Sequence, residues 1–144
     1  MMKKLGSLVA LMLLSALMTG AWTLPAPAVA PTPNVTFTLI SGLPATMNVG
    51  ETATVIVQID SNQEFVFAKM LPSFYYPGRL VRAVNTGGDR TGAGTTAILE
   101  VSFTAIASTA GYPGGVAPVW VVAGAHFQGG LSVGQKFAFD VAVP

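Results

Sequence analysis

The chain has 144 residues, enough for one domain, yet Asp, Glu, Lys and Arg together make up only 9% of it, against about a quarter in ordinary soluble domains. Two of its seven basic residues, Lys3 and Lys4, sit at the extreme N-terminus, and the remaining five against six acidic residues exclude a basic footprint for nucleic acid or an anionic membrane. Cysteine is absent, which excludes disulfide scaffolding and lipidation at cysteine and leaves stability to packing and strand pairing.

Met1 to Lys4 gives a short basic start, Leu5 to Met18 an apolar run, and small residues and prolines follow. This is the three-part pattern of a secretory signal peptide, expected as a helix over residues 1–28 and cleaved after Ala28, with Ala21 as the alternative. Two other readings share the segment. Leu5 to Leu24 is long enough to remain as an uncleaved anchor, the only expected membrane contact. Lys3-Lys4-Leu5-Gly6 also fits a pilin-type processing site, which would make the chain a filament subunit. Residues 29–34 are a Pro-rich linker, since Pro25, Pro27, Pro31 and Pro33 keep the backbone extended. Asn34-Val35-Thr36 matches the glycosylation acceptor pattern.

From residue 35 to 144 apolar residues recur with a period of two, the signature of half-buried strands. Val35, Phe37 and Leu39 form one inward row. Ala53, Val55, Val57 and Ile59 form the next, stopped by Asp60-Ser61-Asn62. Phe65 to Leu71 and Leu80 to Val84 follow, and Gly-rich turns are expected from Asn85 to Gly94. Thr96 to Ala107 is the longest run, with Glu100, Ser102 and Thr104 on a wet side; Val116 to Ala125 is more continuously apolar and reads as a central strand. Gln135 to Val143 closes the set with Phe137, Phe139 and Val141 inward. No apolar segment follows Pro144, so no second anchor is expected. Seven or eight short strands in this length predict an all-β sandwich.

Asn48-Val49-Gly50-Glu51-Thr52, leading into the run to Asp60, resembles the turn into the second strand of bacterial immunoglobulin-like and cohesin-like extracellular domains. Leu99 to Ala105 is similar to their later long strand. The resemblance implies an immunoglobulin-like sandwich that serves as a modular scaffold for cell-surface assembly or adhesion. The cysteine pair of the vertebrate pattern is missing, and Trp120 lies late in the chain, so antigen-type recognition does not carry over.

Chemistry is sparse. His126 is the single histidine, no Gly-x-Ser-x-Gly elbow occurs, and the acidic residues fall mostly in turns or at outward strand positions, so no catalytic residue and no cofactor are expected. Asp60, Asn62 and Glu64 alternate like the opening of a calcium loop but lack its later Gly and bidentate Glu. The richest binding segment is Phe74-Tyr75-Tyr76-Pro77-Gly78-Arg79, because Tyr and Arg dominate binding hot spots; Trp120 is a further candidate. The expected role is a secreted, non-enzymatic structural or adhesive module whose partners are extracellular or cell-surface proteins, including further copies of itself. Glycan binding by the exposed aromatics is the alternative.

Overall fold

The computed structural model describes residues 25–26, 30–73 and 80–144. The apolar run expected to be a signal peptide and the segment from Phe74 to Arg79 lie outside the described residues. The chain divides into two compact units at Thr32/Pro33, and the second, Pro33–Pro144, holds the β structure.

Among the described residues eight strands form: β1 (Val35–Ser41), β2 (Thr52–Phe65), β3 (Phe67–Pro72), β4 (Val81–Ala83), β5 (Asp89–Thr91), β6 (Gly94–Ala105), β7 (Ala117–His126) and β8 (Ser132–Val141). They make two antiparallel four-stranded sheets, β1-β2-β6-β4 and β5-β3-β7-β8. The expected all-β sandwich is therefore the architecture, and β7 is interior to its sheet as its continuous apolar character predicts. The facing rows supply the core: Val55, Val57 and Ile59 from β2, Leu99, Val101 and Phe103 from β6, Met70 from β3, and Val119 and Val121 from β7.

Three local expectations are corrected. β2, not β6, is the longest strand, because Asp60-Ser61-Asn62 does not stop it. The ladder continues past a register shift between Asp60 and Phe65. Asn62 bonds back to Asn34 through both its backbone N–H and its side-chain oxygen, so the polar cluster supports the strand it was expected to end. The glycine-rich stretch from Asn85 holds the short strand β5, paired with β3 from Met70↔Asp89 to Ala68↔Thr91. Leu39 is not part of the core; the ladder shifts between Leu39 and Ser41 and leaves it 39% exposed.

The Val49-Gly50-Glu51 turn ties the start of β2 to the end of β6. Gly50 takes a positive φ of 88°, its N–H bonds Ala105 O, and the Glu51 carboxylate accepts from Asn48 N–H. Among the described residues, Thr109 is the buried polar one, 1% exposed. Its hydroxyl donates to Gly115 O at 2.7 Å and accepts from Val143 N–H at 2.8 Å, clasping the β6–β7 connection to the C-terminal segment. Thr109→Val keeps the volume and removes both bonds, stranding a buried N–H; a loss of about 2 kcal/mol is expected in denaturant unfolding. Thr109→Ser should retain most of that stability.

Candidate functional site

Alternation along β3, β7 and β8 sends every second side chain to the outer face of the second sheet. Phe67, Lys69 and Leu71 point outward from β3, in register with His126, Gly124 and Val122 on β7. These pair in turn with Ser132, Gly134 and Lys136 on β8, while Arg90 on β5 stands beside Lys69. Three of the five basic residues beyond the N-terminal segment thus share one face, whose own strands present only Asp140 as a carboxylate.

The aromatic groups of this face are engaged with its cations. Phe67 and His126 stack with centroids 4.2 Å apart and planes at 19°, and the Arg90 guanidinium lies 4.0 Å from the Phe67 centroid. Lys136 Nζ sits 4.3 Å over the Trp120 ring. Each such contact is worth about 0.5–1 kcal/mol where water has access, and together they hold long side chains flat against the sheet. The expected binding residue Trp120 is therefore on an outer platform, half-buried, with its backbone N–H directed at Ser73 Oγ at 3.4 Å.

Between these groups runs a furrow of about 200 Å³. Its floor is the cross-strand glycine pair Gly124 and Gly134, where absent side chains bare the sheet backbone. Lys69, Leu71, Val122, His126 and Ser132 form the walls. A hydrogen bond of 2.7 Å joins Ser132 Oγ to His126 Nδ1. Such a pair needs a carboxylate to orient and charge-stabilise the imidazole for nucleophilic work. The charged groups acting on His126 are instead Lys69 and Arg90.

Burial first, and then repulsion by Lys69 and Arg90, hold the His126 imidazole below its ordinary pKa of 6.5. Between the folded and unfolded values the unfolded chain binds the extra proton, so stability rises with pH in that window. His126 therefore stabilises the fold fully above pH 6.5, and this contribution is lost as pH falls toward the lower folded value. His126→Phe preserves stacking on Phe67 and removes the titration. The variant should show a flatter stability profile than the parent between neutral and mildly acidic pH, measured by urea midpoints.

The opposite outer face, on the first sheet, is of another character. Thr52 and Thr104 share a hydroxyl bond at 2.8 Å, and Thr54 and Ser102 another at 2.7 Å. Ile98 projects from the centre of this face, 56% exposed, and Ile56 lies on the neighbouring strand beside Glu100. The calcium candidates lie at its margin, on a strand rather than in a loop. Asp60 accepts from Thr96 Oγ1 at 3.0 Å and Gln58 Nε2 at 2.9 Å, and Asn62 Oδ1 accepts from Asn34 N–H, so these oxygens are already engaged within the chain. Glu64 is exposed near the end of β2. Among the described residues no three His, Cys, Asp or Glu gather to hold a metal.

Phe74, Tyr75, Tyr76 and Arg79 fall outside the described residues. Sequence reasoning missed the group formed by Phe67, Lys69, Arg90, Gly124, Gly134 and Lys136. Their outward positions follow from the period-two pattern, but strand neighbours do not, and it is the pairing of β3 with both β5 and β7 that assembles them. No protein-family model matches the chain, and no curated protein matches it.

Proposed function

We propose that the chain is an exported, non-enzymatic module whose immunoglobulin-like sandwich acts by protein–protein assembly at a cell surface or in extracellular material. The sheet order supports the immunoglobulin-like assignment. Taking β1 to β4 as strands A to D and β6 to β8 as E to G, the sheets correspond to ABED and CFG, with β5 as an extra strand beside C. The pattern from Lys3 to Ala28 supports export, and the scarcity of charge supports close approach of other surfaces.

The observation that carries the assembly reading is the outer face of the second sheet, with its furrow, its three cations and its rings already packed under those cations. Aromatic groups and arginine on a pre-organised flat surface are the composition of protein contact sites. A sugar ring would have to displace Lys136 before it could stack on Trp120. The sequence from Phe74 to Arg79 adds further residues of the same contact-forming types.

The test is retention of the purified protein on surface material from the producing cells. Retention lost after protease digestion of that material, and kept after enzymatic removal of its glycans, supports protein recognition. The reverse pattern transfers the function to carbohydrate binding. Absence of retention together with absence of self-association rejects the module reading altogether.

A further inference from the structure

We infer that the partner of the cationic furrow is a second copy of this chain, which inserts Ile98, flanked by Asp60 and Glu100, into the furrow over Gly124 and Gly134. This rests on the assembly reading above and names the surfaces that perform it.

The surroundings of the knob and of the furrow complement each other in charge, the cation of the first outer face, Arg82, standing beside Thr104 six residues along β6 from Ile98. On the first sheet, Asp60 pairs in register with Thr96, Glu100 lies four residues further along β6, and Ile98 is midway between those two positions. With strands about 4.8 Å apart and about 3.4 Å per residue, the Asp60 and Glu100 backbones are separated by roughly 14 Å. On the second sheet, Lys69 stands beside Arg90, and Lys136 is two strands and two residues away. By the same spacings that separation is roughly 12 Å, with Gly124 and Gly134 lying between. An apolar knob between two carboxylates therefore faces a glycine-floored hole flanked by cations, and pairing with the carboxylates draws Arg90 and Lys136 off their rings.

Size agrees as well. The furrow of about 200 Å³ has room for an isoleucine side chain, and Leu71 and Val122 supply an apolar wall. Ile98 is 56% exposed and Val122 44%, so both sides of the contact carry apolar surface in the isolated molecule. Four strands make each sheet face roughly 19 Å wide and about 25–30 Å long on average, about 500 Å² per partner, short of the ~800 Å² typical of a stable interface. A single contact is accordingly weak, and assembly depends on local concentration and on repetition along an array. Because knob and hole occupy different faces, the contact is heterologous and its repetition gives an open chain of molecules rather than a closed dimer.

The experiment uses two variants and their mixture in sedimentation velocity. Ile98→Asp removes the knob and leaves the furrow. Gly124→Val fills the furrow and leaves the knob, and the added Cβ meets nothing closer than Val133 O at 3.4 Å. Each variant alone should lose self-association by at least about tenfold, since a pocketed apolar anchor dominates such contacts. Mixed together they should form a one-to-one complex that grows no further, because one knob and one hole survive. Circular dichroism and melting temperatures near the parent value for both variants establish that the fold is intact; if Gly124→Val melts early, Lys136→Glu, which reverses a cation of the furrow and leaves the knob, takes its place in the mixture with Ile98→Asp.

Self-association of the parent that neither variant weakens overturns the assignment of these faces while leaving the assembly function standing. A mixture that stays monomeric, or that grows into long arrays, also overturns it. A parent protein that is monomeric at every concentration but still binds protein material on cells removes the second copy as partner and leaves the module reading in place.

Discussion

Gly88→Ala is expected to destabilise the protein by about 3 to 4 kcal/mol, while Gly87→Ala, one position earlier, stays within about 0.5 kcal/mol of the parent. Gly88 is buried and adopts φ +70°, a conformation that costs roughly 1–2 kcal/mol for a residue with a Cβ. A Cβ there would run into the Met70 carbonyl oxygen, which is backbone of the interior strand β3 and has no rotamer by which to move aside. The turn is fastened on its other side by Asn85, whose side-chain N–H donates to Gly88 O at 2.6 Å and whose side-chain oxygen accepts from Gly87 N–H. Relief must then come from β5 lifting off β3.

That displacement has a second cost. β4 pairs with β6 only from Val81↔Ala105 to Ala83↔Phe103, so beyond it the Glu100 N–H lacks a strand partner on that side. The Asp89 carboxylate supplies one across the gap between the sheets, at 2.8 Å. Lifting β5 withdraws this charge-assisted bond and takes Arg90 away from Phe67. Amide exchange at Glu100 should accelerate in Gly88→Ala and remain slow in Gly87→Ala. Equal melting temperatures for the two variants would place β5 away from β3 and contradict this account.

β5 also marks where sequence reasoning reached its limit. Strong alternation identified the rows of β2, β6, β7 and β8, because burial of one face leaves a period-two trace in residue type. The alternation points Phe137 and Phe139 inward, and both pack half-buried against the core, with Val141 fully buried. Asp89-Arg90-Thr91 has no such trace. Its three residues are polar, it is flanked by glycines, and its strand state depends on β3 lying alongside. Asp60-Ser61-Asn62 misled for the converse reason: residues that favour turns when alone are held extended here by Asn34, which is distant in sequence.

The site was legible only in its pieces. Trp120, His126 and the scarcity of charge stand out in the sequence, and the outward positions of Lys69 and Lys136 follow once each strand is given its phase. Nothing local to either strand states that Lys69 stands beside Arg90, or that Gly124 faces Gly134. Those relations belong to pairings between segments about 10 to 60 residues apart, fixed by how two sheets close over one core.

The same core sets the second large effect, expected at Phe103. The ring is 1% exposed on β6, and its two register neighbours are alanines, Ala53 on β2 and Ala83 on β4. One large side chain therefore spans the width of three strands, and the small flanking residues have no volume with which to close a gap. Phe103→Ala removes the transfer free energy of the ring and leaves a void that these neighbours cannot fill, so the loss should be about 3–5 kcal/mol. For a domain of this size the folded state is favoured by only about 5–15 kcal/mol, and each kcal/mol lost lowers the melting temperature by roughly 4 °C or more. Phe137→Ala provides the comparison: that ring is half-buried on β8, an edge strand open to water on one side, and its removal should cost less than half as much. Urea unfolding of both variants measures the difference in midpoint at unchanged slope. A Phe103→Ala loss no greater than that of Phe137→Ala would mean that the two sheets do not close over β6 as described, and the opposed faces on which assembly depends would lose their common frame.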